Sequence, residues 1–112
     1  MGWNVRFSGP ALRDFSGIIE WTTREFGPAQ AIRYEALIAA AADKLLRGPM
    51  VVPAKEWPAL EGVRCLPVLE GRRRARHLLF FSWSGQGGQG SIQILRILHA
   101  SMDPALHLPP EA

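Results

Sequence analysis

Apolar and polar positions alternate at the start of the chain and then change to a helical period. Residues 3–7, WNVRF, alternate and predict a short strand. Ser8 follows as a good helix N-cap, and Pro10 is tolerated in a first helical turn. Apolar side chains every three or four residues then predict a helix that buries one face. That stripe consists of Leu12, Phe15, Ile19, Thr22 and Phe26.

A second helix is predicted immediately after the first. Gly27 ends the first helix and Pro28 begins the next, a pairing typical of two antiparallel helices joined by a tight turn. The pattern continues to about Arg47, and Gly48 and Pro49 end it. Residues 8–47 are therefore expected to form a helical hairpin. The buried face of its second helix is predicted to hold Tyr34, Ile38, Ala41 and Leu45, with Leu37 and Ala40 beside them.

The rest of the chain predicts a loop followed by three strands. Residues 49–62 contain three prolines, which argue against a central strand or a continuous helix. Strands are predicted over 63–69, 75–83 and 91–99. The segment GQGGQG between the last two is expected to be a flexible hairpin turn. It is not a phosphate-binding loop, because it lacks the Lys-Ser/Thr pair and does not open a helix.

This order, β-α-α-β-β-β, predicts an α+β fold with the helical hairpin on one face of a small antiparallel sheet. The other face is expected to stay at least partly open, and the apolar tail over 102–110 to pack back on the domain. The 112 residues suit a single domain, 1–112, and 47% hydrophobic with 21% charged residues is typical of a globular protein.

Cysteine content and hydropathy narrow the class of protein. Cys65 is the only cysteine, so the chain forms no internal disulfide and has no cysteine pair for a metal. The N-terminus has no apolar signal region, and no apolar run approaches the ~20 residues of a membrane span. These features predict a cytoplasmic protein without membrane contact. No motif indicates a cofactor or a metal, and none is expected.

Positive charge is concentrated in the C-terminal half. Residues 1–61 carry seven Lys/Arg and seven Asp/Glu, whereas residues 62–100 carry six arginines against Glu70, a net +5. Such a field favours an acidic partner. The alternative is that Arg72, Arg73, Arg74 and Arg76 form an ordinary solvated turn.

The last predicted strand, in ILRILHASMD (94–103), combines aliphatic residues with polar ones. Strict alternation places Arg96 and His99 on opposite faces, so they cannot meet directly unless a bulge intervenes. This argues against an acid–base pair, and no catalytic residue is predicted. Arg96 is expected either to form a structural ion pair, with Asp103 or a helix carboxylate such as Glu20, or to contact a partner. His99 is expected to make a hydrogen bond that closes the end of the sheet.

Several short motifs in a fixed order resemble one known family. They are Gly62-Val63-Arg64, RHLLFF over 76–81, RILH over 96–99, Met102-Asp103 and His107-Leu108. In this order they resemble the ParE branch of the ParE/RelE toxin superfamily. The resemblance implies a RelE/ParE-like fold and a cognate antitoxin, usually a ParD-like ribbon-helix-helix protein that alone contacts DNA. It also implies DNA gyrase as the target.

The resemblance leaves an alternative open, because RelE-like relatives cleave mRNA on the ribosome. RNA cleavage needs a general base, a general acid and cations beside the phosphate. The two lysines, Lys44 and Lys55, are expected outside the sheet, and Tyr34 in the core. Inhibition without catalysis is therefore preferred, and a copy without activity is a third possibility. The candidate residues for binding the antitoxin or target are Arg64, Arg74, Arg76, His77, Phe81, Arg96, His99, Met102 and Asp103.

Overall fold

The computed structural model describes residues 2–108, which form two α-helices packed on a five-stranded sheet. The strands are β1 (Trp3–Phe7), β2 (Lys55–Glu56), β3 (Arg64–Pro67), β4 (His77–Gln86) and β5 (Gln89–His99). The helices are α1 (Gly9–Phe26) and α2 (Pro28–Lys44), and short 3-10 turns cover Leu45–Arg47 and Pro104–Leu106. The predicted α+β class and element order are confirmed, with one added strand.

Helix α1 begins where the sequence predicts, and Phe15, Ile19 and Thr22 of the predicted stripe do face the core. The Ser8 hydroxyl accepts a hydrogen bond from the backbone N–H of Ala11 at 3.1 Å, as an N-cap does. Ala11 and Thr22 are buried on this helix. Leu12 and Phe26 were predicted to be in the buried stripe and are more than half exposed, so that part of the prediction is wrong. The buried face is centred closer to Ala11 than predicted. Ala11 lies in the core, and Phe15, Ile18 and Ile19 pack against that core.

Helix α2 follows the prediction closely. Its buried face contains Tyr34, Ile38 and Ala41, and Leu45 continues it in the 3-10 turn. Ala40, expected beside that face, is exposed. Neither helix is long and apolar enough to cross a membrane, as far as residues 2–108 are concerned.

The sheet has the strand order β1-β5-β4-β3-β2. Strand β1 pairs parallel with β5, and the other three pairs are antiparallel. The strand β2, at the opposite edge, falls in the segment predicted to be a loop. Lys55 and Glu56 pair there with β3 between two of the prolines. A two-residue edge strand is compatible with nearby prolines, because only one side of an edge strand is hydrogen-bonded.

The glycine-rich segment forms a tighter hairpin than predicted. Strands β4 and β5 extend through the glutamines at both ends, so only Gly87 and Gly88 remain as the turn. Both have positive φ, +64° and +79°, which a two-residue turn of type I′ requires and which glycine adopts without strain.

A β-bulge in β5 changes which side chains share a face. Phe80 pairs with Arg96 and Phe81 pairs with Ile94, which leaves Leu95 without an opposite residue. As a result Ile94 and Ile97 both enter the core on the helix side, whereas Leu95 packs against the core of the opposite face. The predicted alternation is therefore interrupted at Leu95 and resumes at Arg96, so Arg96 and His99 still lie on opposite faces of the strand, as predicted.

The face of the sheet opposite the helices is covered in part, over strands β3 and β4 and the end of β5. Cys65, Phe80 and Leu98 are fully buried there, under Trp57 from the long loop and Leu108 from the tail. The Trp57 and Phe80 rings meet edge-on with centroids 5.3 Å apart.

The prediction of an at least partly open face is confirmed, because Asn4, Arg6 and Gln93 on that face are exposed. The predicted packing of the tail is confirmed to Leu108. The final prolines of that tail, at 109–110, lie outside the described residues.

Candidate functional site

A cleft of about 510 Å³ opens between the helical hairpin and the end of the sheet where β4 begins and β5 ends. This volume is in the range of ligand-binding pockets. Side chains from α1, from the N-terminal half of α2 and from both strand ends line it. They are Arg13, Asp14, Gly17, Ile18, Trp21, Thr22, Phe26, Gln30, Tyr34, Arg76, His77, Arg96, Ile97, Leu98, His99 and Met102.

Asp14 of α1 and Arg96 of β5 form a bidentate ion pair in the cleft. The two distances, from Arg96 Nε and Nη2 to the Asp14 carboxylate oxygens, are 2.7 and 2.8 Å. The same carboxylate accepts the backbone N–H of Ile97 at 2.9 Å. The hydrogen bond to Asp14 raises the pKa of Arg96. Arg96 thus forms the expected ion pair with a helix carboxylate, but that carboxylate is Asp14. Glu20, the example named in the prediction, pairs with Arg24 on the exposed side of α1.

His77 and Tyr34 form a second polar pair, between β4 and α2. The Tyr34 hydroxyl lies 2.7 Å from Nδ1 of His77 in a hydrogen bond. Burial, the neighbouring His99 ring and the Arg76 guanidinium lower the pKa of His77 to about 4. Burial raises the pKa of Tyr34 to about 12. Both groups are therefore neutral at pH 7, and each provides the hydrogen-bond partner of the other.

His99 lies across the strand pair from His77, with the two ring centroids 5.3 Å apart. The backbone N–H of Ser101 donates to His99 Nδ1 at 3.1 Å, and the Ser101 hydroxyl lies 2.7 Å from the same nitrogen. Because Nδ1 accepts, the proton of the neutral ring is on Nε2. His99 thus closes the turn after β5, as predicted, and its Nε2–H remains a donor.

The outer wall of the cleft is apolar and its rim is cationic. Trp21 and Phe26 of α1 are 48% and 57% exposed, and their rings meet edge-on at 5.6 Å. Met102, after β5, is 45% exposed. Arg13 and Arg76 are also exposed, and neither belongs to an ion pair within residues 2–108.

Three of the predicted binding residues have structural roles away from the cleft. Arg64 donates to the carbonyls of Pro49 and Ala54 at 2.8 and 3.0 Å, and so holds the long loop. Phe81 is 0% exposed in the core on the helix side, so we remove it from the candidate binding residues. Asp103 accepts the backbone N–H of Ala105 and begins the last 3-10 turn, which makes it a cap and not the partner of Arg96.

The other predicted residues lie at or near the cleft. Five of them line it: Arg76, His77, Arg96, His99 and Met102. Arg74 is exposed in the turn that leads into β4. Sequence reasoning missed Asp14, although one signal was available. Asp14 falls on the buried side of α1 close to Ala11 and Ile18, and a carboxylate on such a face requires a partner.

Of the two expectations used against catalysis, the one for Lys55 is wrong and the one for Tyr34 is confirmed but incomplete. Lys55 lies in the sheet, as part of the edge strand β2. Tyr34 is buried as predicted, but its hydroxyl reaches His77 and its side chain lines the cleft. The cleft therefore brings a phenol, two imidazoles and an arginine together. No group of three or more His, Cys, Asp or Glu side chains in the described part of the chain could hold a metal ion.

Comparisons with known proteins place this fold and cleft in a family. A solved structure described as the chromosomal ParDE TA system from P. aeruginosa superposes with a TM-score of 0.67. The two sequences are 24% identical, and the match covers 87% of this chain and 95% of that chain, so this likeness shows the fold. No curated protein matches the chain. The family description "ParE toxin of type II toxin-antitoxin system, parDE" matches residues 5–104. Because that match spans nearly the whole chain, the protein belongs to the ParE toxin family of type II toxin–antitoxin systems.

Proposed function

We propose that the chain inhibits its target by binding it, without chemistry of its own, and that a cognate antitoxin neutralises it by direct contact. The observation that supports this is how the polar groups of the cleft are used. Asp14 is bound to Arg96 and Ile97, and Tyr34 is bound to His77. A general base needs a free lone pair that reaches the substrate, whereas these groups bind one another.

DNA gyrase is the proposed target, and the proposal rests on the resemblance to the ParE branch of the superfamily. The antitoxin partner is supported by membership of a toxin–antitoxin family and by the similarity to a ParDE system. A ParD-like, ribbon-helix-helix antitoxin would give the complex its DNA contact. The exposed arginines and apolar side chains around the cleft are the surfaces available for these contacts.

A supercoiling assay with purified gyrase tests this proposal. Inhibition of supercoiling should increase with the amount of toxin added and reach a plateau near equal amounts of toxin and gyrase. At a fixed dose, the extent of inhibition should not increase with time. Adding the antitoxin should restore activity. Full supercoiling at a large excess of folded toxin would contradict gyrase as the target.

Endoribonuclease activity is a second candidate, because the fold places two histidines, a tyrosine and an arginine in one cleft. His77 is neutral at pH 7 and its ring lies beside that of His99, and Arg76 could sit beside a phosphate. A translation assay that maps mRNA ends tests this activity. Cuts on ribosome-bound mRNA that disappear with His99→Ala, and persist with the control His107→Ala outside the cleft, would favour the nuclease over the inhibitor.

A further inference from the structure

We infer that an exposed turn between β3 and β4 binds the phosphate backbone of double-stranded DNA without reading its sequence. The turn carries four arginines within five positions, and we call it the arginine turn: Arg72, Arg73, Arg74 and Arg76. In the proposed function the antitoxin supplies the DNA contact of the complex. The arginine turn adds a DNA contact made by the toxin itself.

The first argument is that no acidic side chain neutralises the arginine turn. All four of its arginines are exposed, and none belongs to an ion pair within residues 2–108. Glu70 is the only acidic residue between positions 62 and 100. Its carboxylate is bound to Arg33 of α2 at 3.0 Å, and its side chain is only 13% exposed. The turn therefore presents its positive charges to solvent, and such a cluster attracts a polyanion.

The second argument is that hydrogen bonds of the backbone hold the arginine turn in place. The Val68 N–H donates to the His77 carbonyl at 3.0 Å and closes the base of the connection. Within it, the Arg73 N–H donates to the Glu70 carbonyl at 3.2 Å and closes a β-turn. Gly71 is the second residue of that β-turn, with φ +61°. Because the backbone is ordered before a partner arrives, binding costs less conformational entropy.

The third argument is that the side chains of this segment suit a phosphate backbone better than other anions. Residues 69–76, LEGRRRAR, contain no aromatic ring on which an unpaired base could stack, and no Asn or Gln to read a base edge. They offer an acidic protein one large exposed apolar side chain, Leu69, whereas protein interfaces ordinarily contain several apolar or aromatic anchors. Duplex DNA carries one negative charge per ~1.7 Å of its axis, so neighbouring guanidinium groups can each meet a phosphate.

The choice of DNA over RNA rests on the proposed function. Both nucleic acids offer the same phosphate groups to an arginine. The proposed target, DNA gyrase, and the proposed ribbon-helix-helix antitoxin both act on DNA, so each of the proposed complexes brings the chain close to a DNA duplex.

Fluorescence anisotropy of a short labelled DNA duplex, titrated with the full-length protein alone, measures this contact. If all four arginines meet phosphates, the logarithm of the affinity should fall against the logarithm of the salt concentration with a slope of about −3.6. The affinity should therefore drop about 100-fold between about 50 and 200 mM salt. Duplexes of different sequence should bind equally well, because backbone contacts carry no sequence information.

Two double variants with the same net charge separate the arginine turn from the overall charge of the protein. Arg72→Gln/Arg74→Gln should halve the slope to about −1.8 and weaken binding about 10-fold or more at about 50 mM salt. Arg6→Gln/Arg47→Gln is the matched control, because these exposed arginines lie in β1 and in the 3-10 turn after α2. The control should keep a slope close to that of the parent, since salt screens charges beyond about 10 Å. Circular dichroism confirms folding, and Arg73→Gln, with an expected slope of about −2.7, replaces the first variant if it does not fold.

Equal losses in the two double variants overturn the arginine turn as a DNA site, because binding would then depend on net charge alone. Tighter binding to an RNA duplex, or to polyglutamate, than to the DNA duplex at the same salt concentration overturns the choice of DNA. A supercoiling assay on the same preparation separates this inference from the proposed function. Gyrase inhibition without DNA binding by the parent chain overturns the DNA contact alone, whereas DNA binding without gyrase inhibition overturns the proposed target alone.

Discussion

Replacing Asp14 with alanine should destabilise the fold strongly, although Asp14 lies on a surface helix. The side chain accepts three hydrogen bonds, two from the Arg96 guanidinium and one from the Ile97 backbone. Its loss would leave the Ile97 N–H without a partner and the Arg96 guanidinium with only the His107 carbonyl, 3.5 Å away. The side chains of Arg96 and Asp14 are only 21% and 15% exposed.

The magnitude follows from these contacts. An exposed ion pair contributes about 0–1 kcal/mol, and removing one partner of a fully buried pair costs about 3–5 kcal/mol. The pair of Asp14 and Arg96 lies between these limits. The unpaired N–H of Ile97 adds about 1 kcal/mol or more. We therefore expect Asp14→Ala to lower the free energy of unfolding by about 2–4 kcal/mol, a large share of the 5–15 kcal/mol typical of a domain.

Urea denaturation measures this change, and the chain offers a matched control on the same helix. Glu20→Ala removes an ion pair to Arg24 whose side chains are 71% and 61% exposed, and it should cost less than about 0.5 kcal/mol. A double-mutant cycle with Arg96→Met should give a coupling energy of about 1 kcal/mol or more. If Asp14→Ala is no more destabilising than Glu20→Ala, or the coupling is near zero, the ion pair does not hold α1 to the sheet.

Two further predictions concern His77 and the start of α1. Because the pKa of His77 is lowered from 6.5 to about 4 in the fold, the unfolded chain binds its proton first as the pH falls. Stability from this group is present above pH 6.5 and is lost as the pH falls toward 4. Because the imidazole is partly exposed, solvent screening reduces the loss between pH 7 and pH 5 to on the order of 1 kcal/mol. His77→Gln should remove that part of the pH dependence in urea titrations, and an unchanged slope would contradict it. Ser8→Ala should cost about 1–2 kcal/mol, because the hydroxyl caps α1 and also donates to the Leu95 carbonyl at 2.9 Å. The exposed mid-helix control Ser16→Ala should be neutral or slightly stabilising in the same measurement.

The sequence predicted the elements well, because each is signalled by neighbouring residues. Ser8 and Pro10 signal the helix start, and the helical hairpin around Gly27 follows from local chain geometry. The candidate site was harder to predict. A period-2 pattern cannot show that Leu95 lies in a bulge, since the bulge depends on how β4 pairs with β5.

The contacts that shape the cleft connect residues far apart in the chain. Asp14 and Arg96 are 82 positions apart, and Tyr34 and His77 are 43 positions apart. No local pattern encodes such pairs. Trp21 was not singled out, and Phe26 was assigned to the core, because an apolar residue on a helix is ordinarily a core residue and only tertiary packing shows which ones remain exposed.

The ion pair that stabilises the fold and the cleft lie at the same edge of β5. Strand β1 ends at Phe7, so β5 loses its neighbour after Ile94, and α1 takes over that edge. The backbone N–H of Ser8 donates to the Ile94 carbonyl, and the Asp14 carboxylate accepts the Ile97 N–H, both at 2.9 Å. The cleft lined by Trp21 lies beside this edge, between α1 and the end of β5. Variants at Asp14 should therefore change stability and antitoxin binding together, whereas Trp21→Glu should change antitoxin binding while the fold remains.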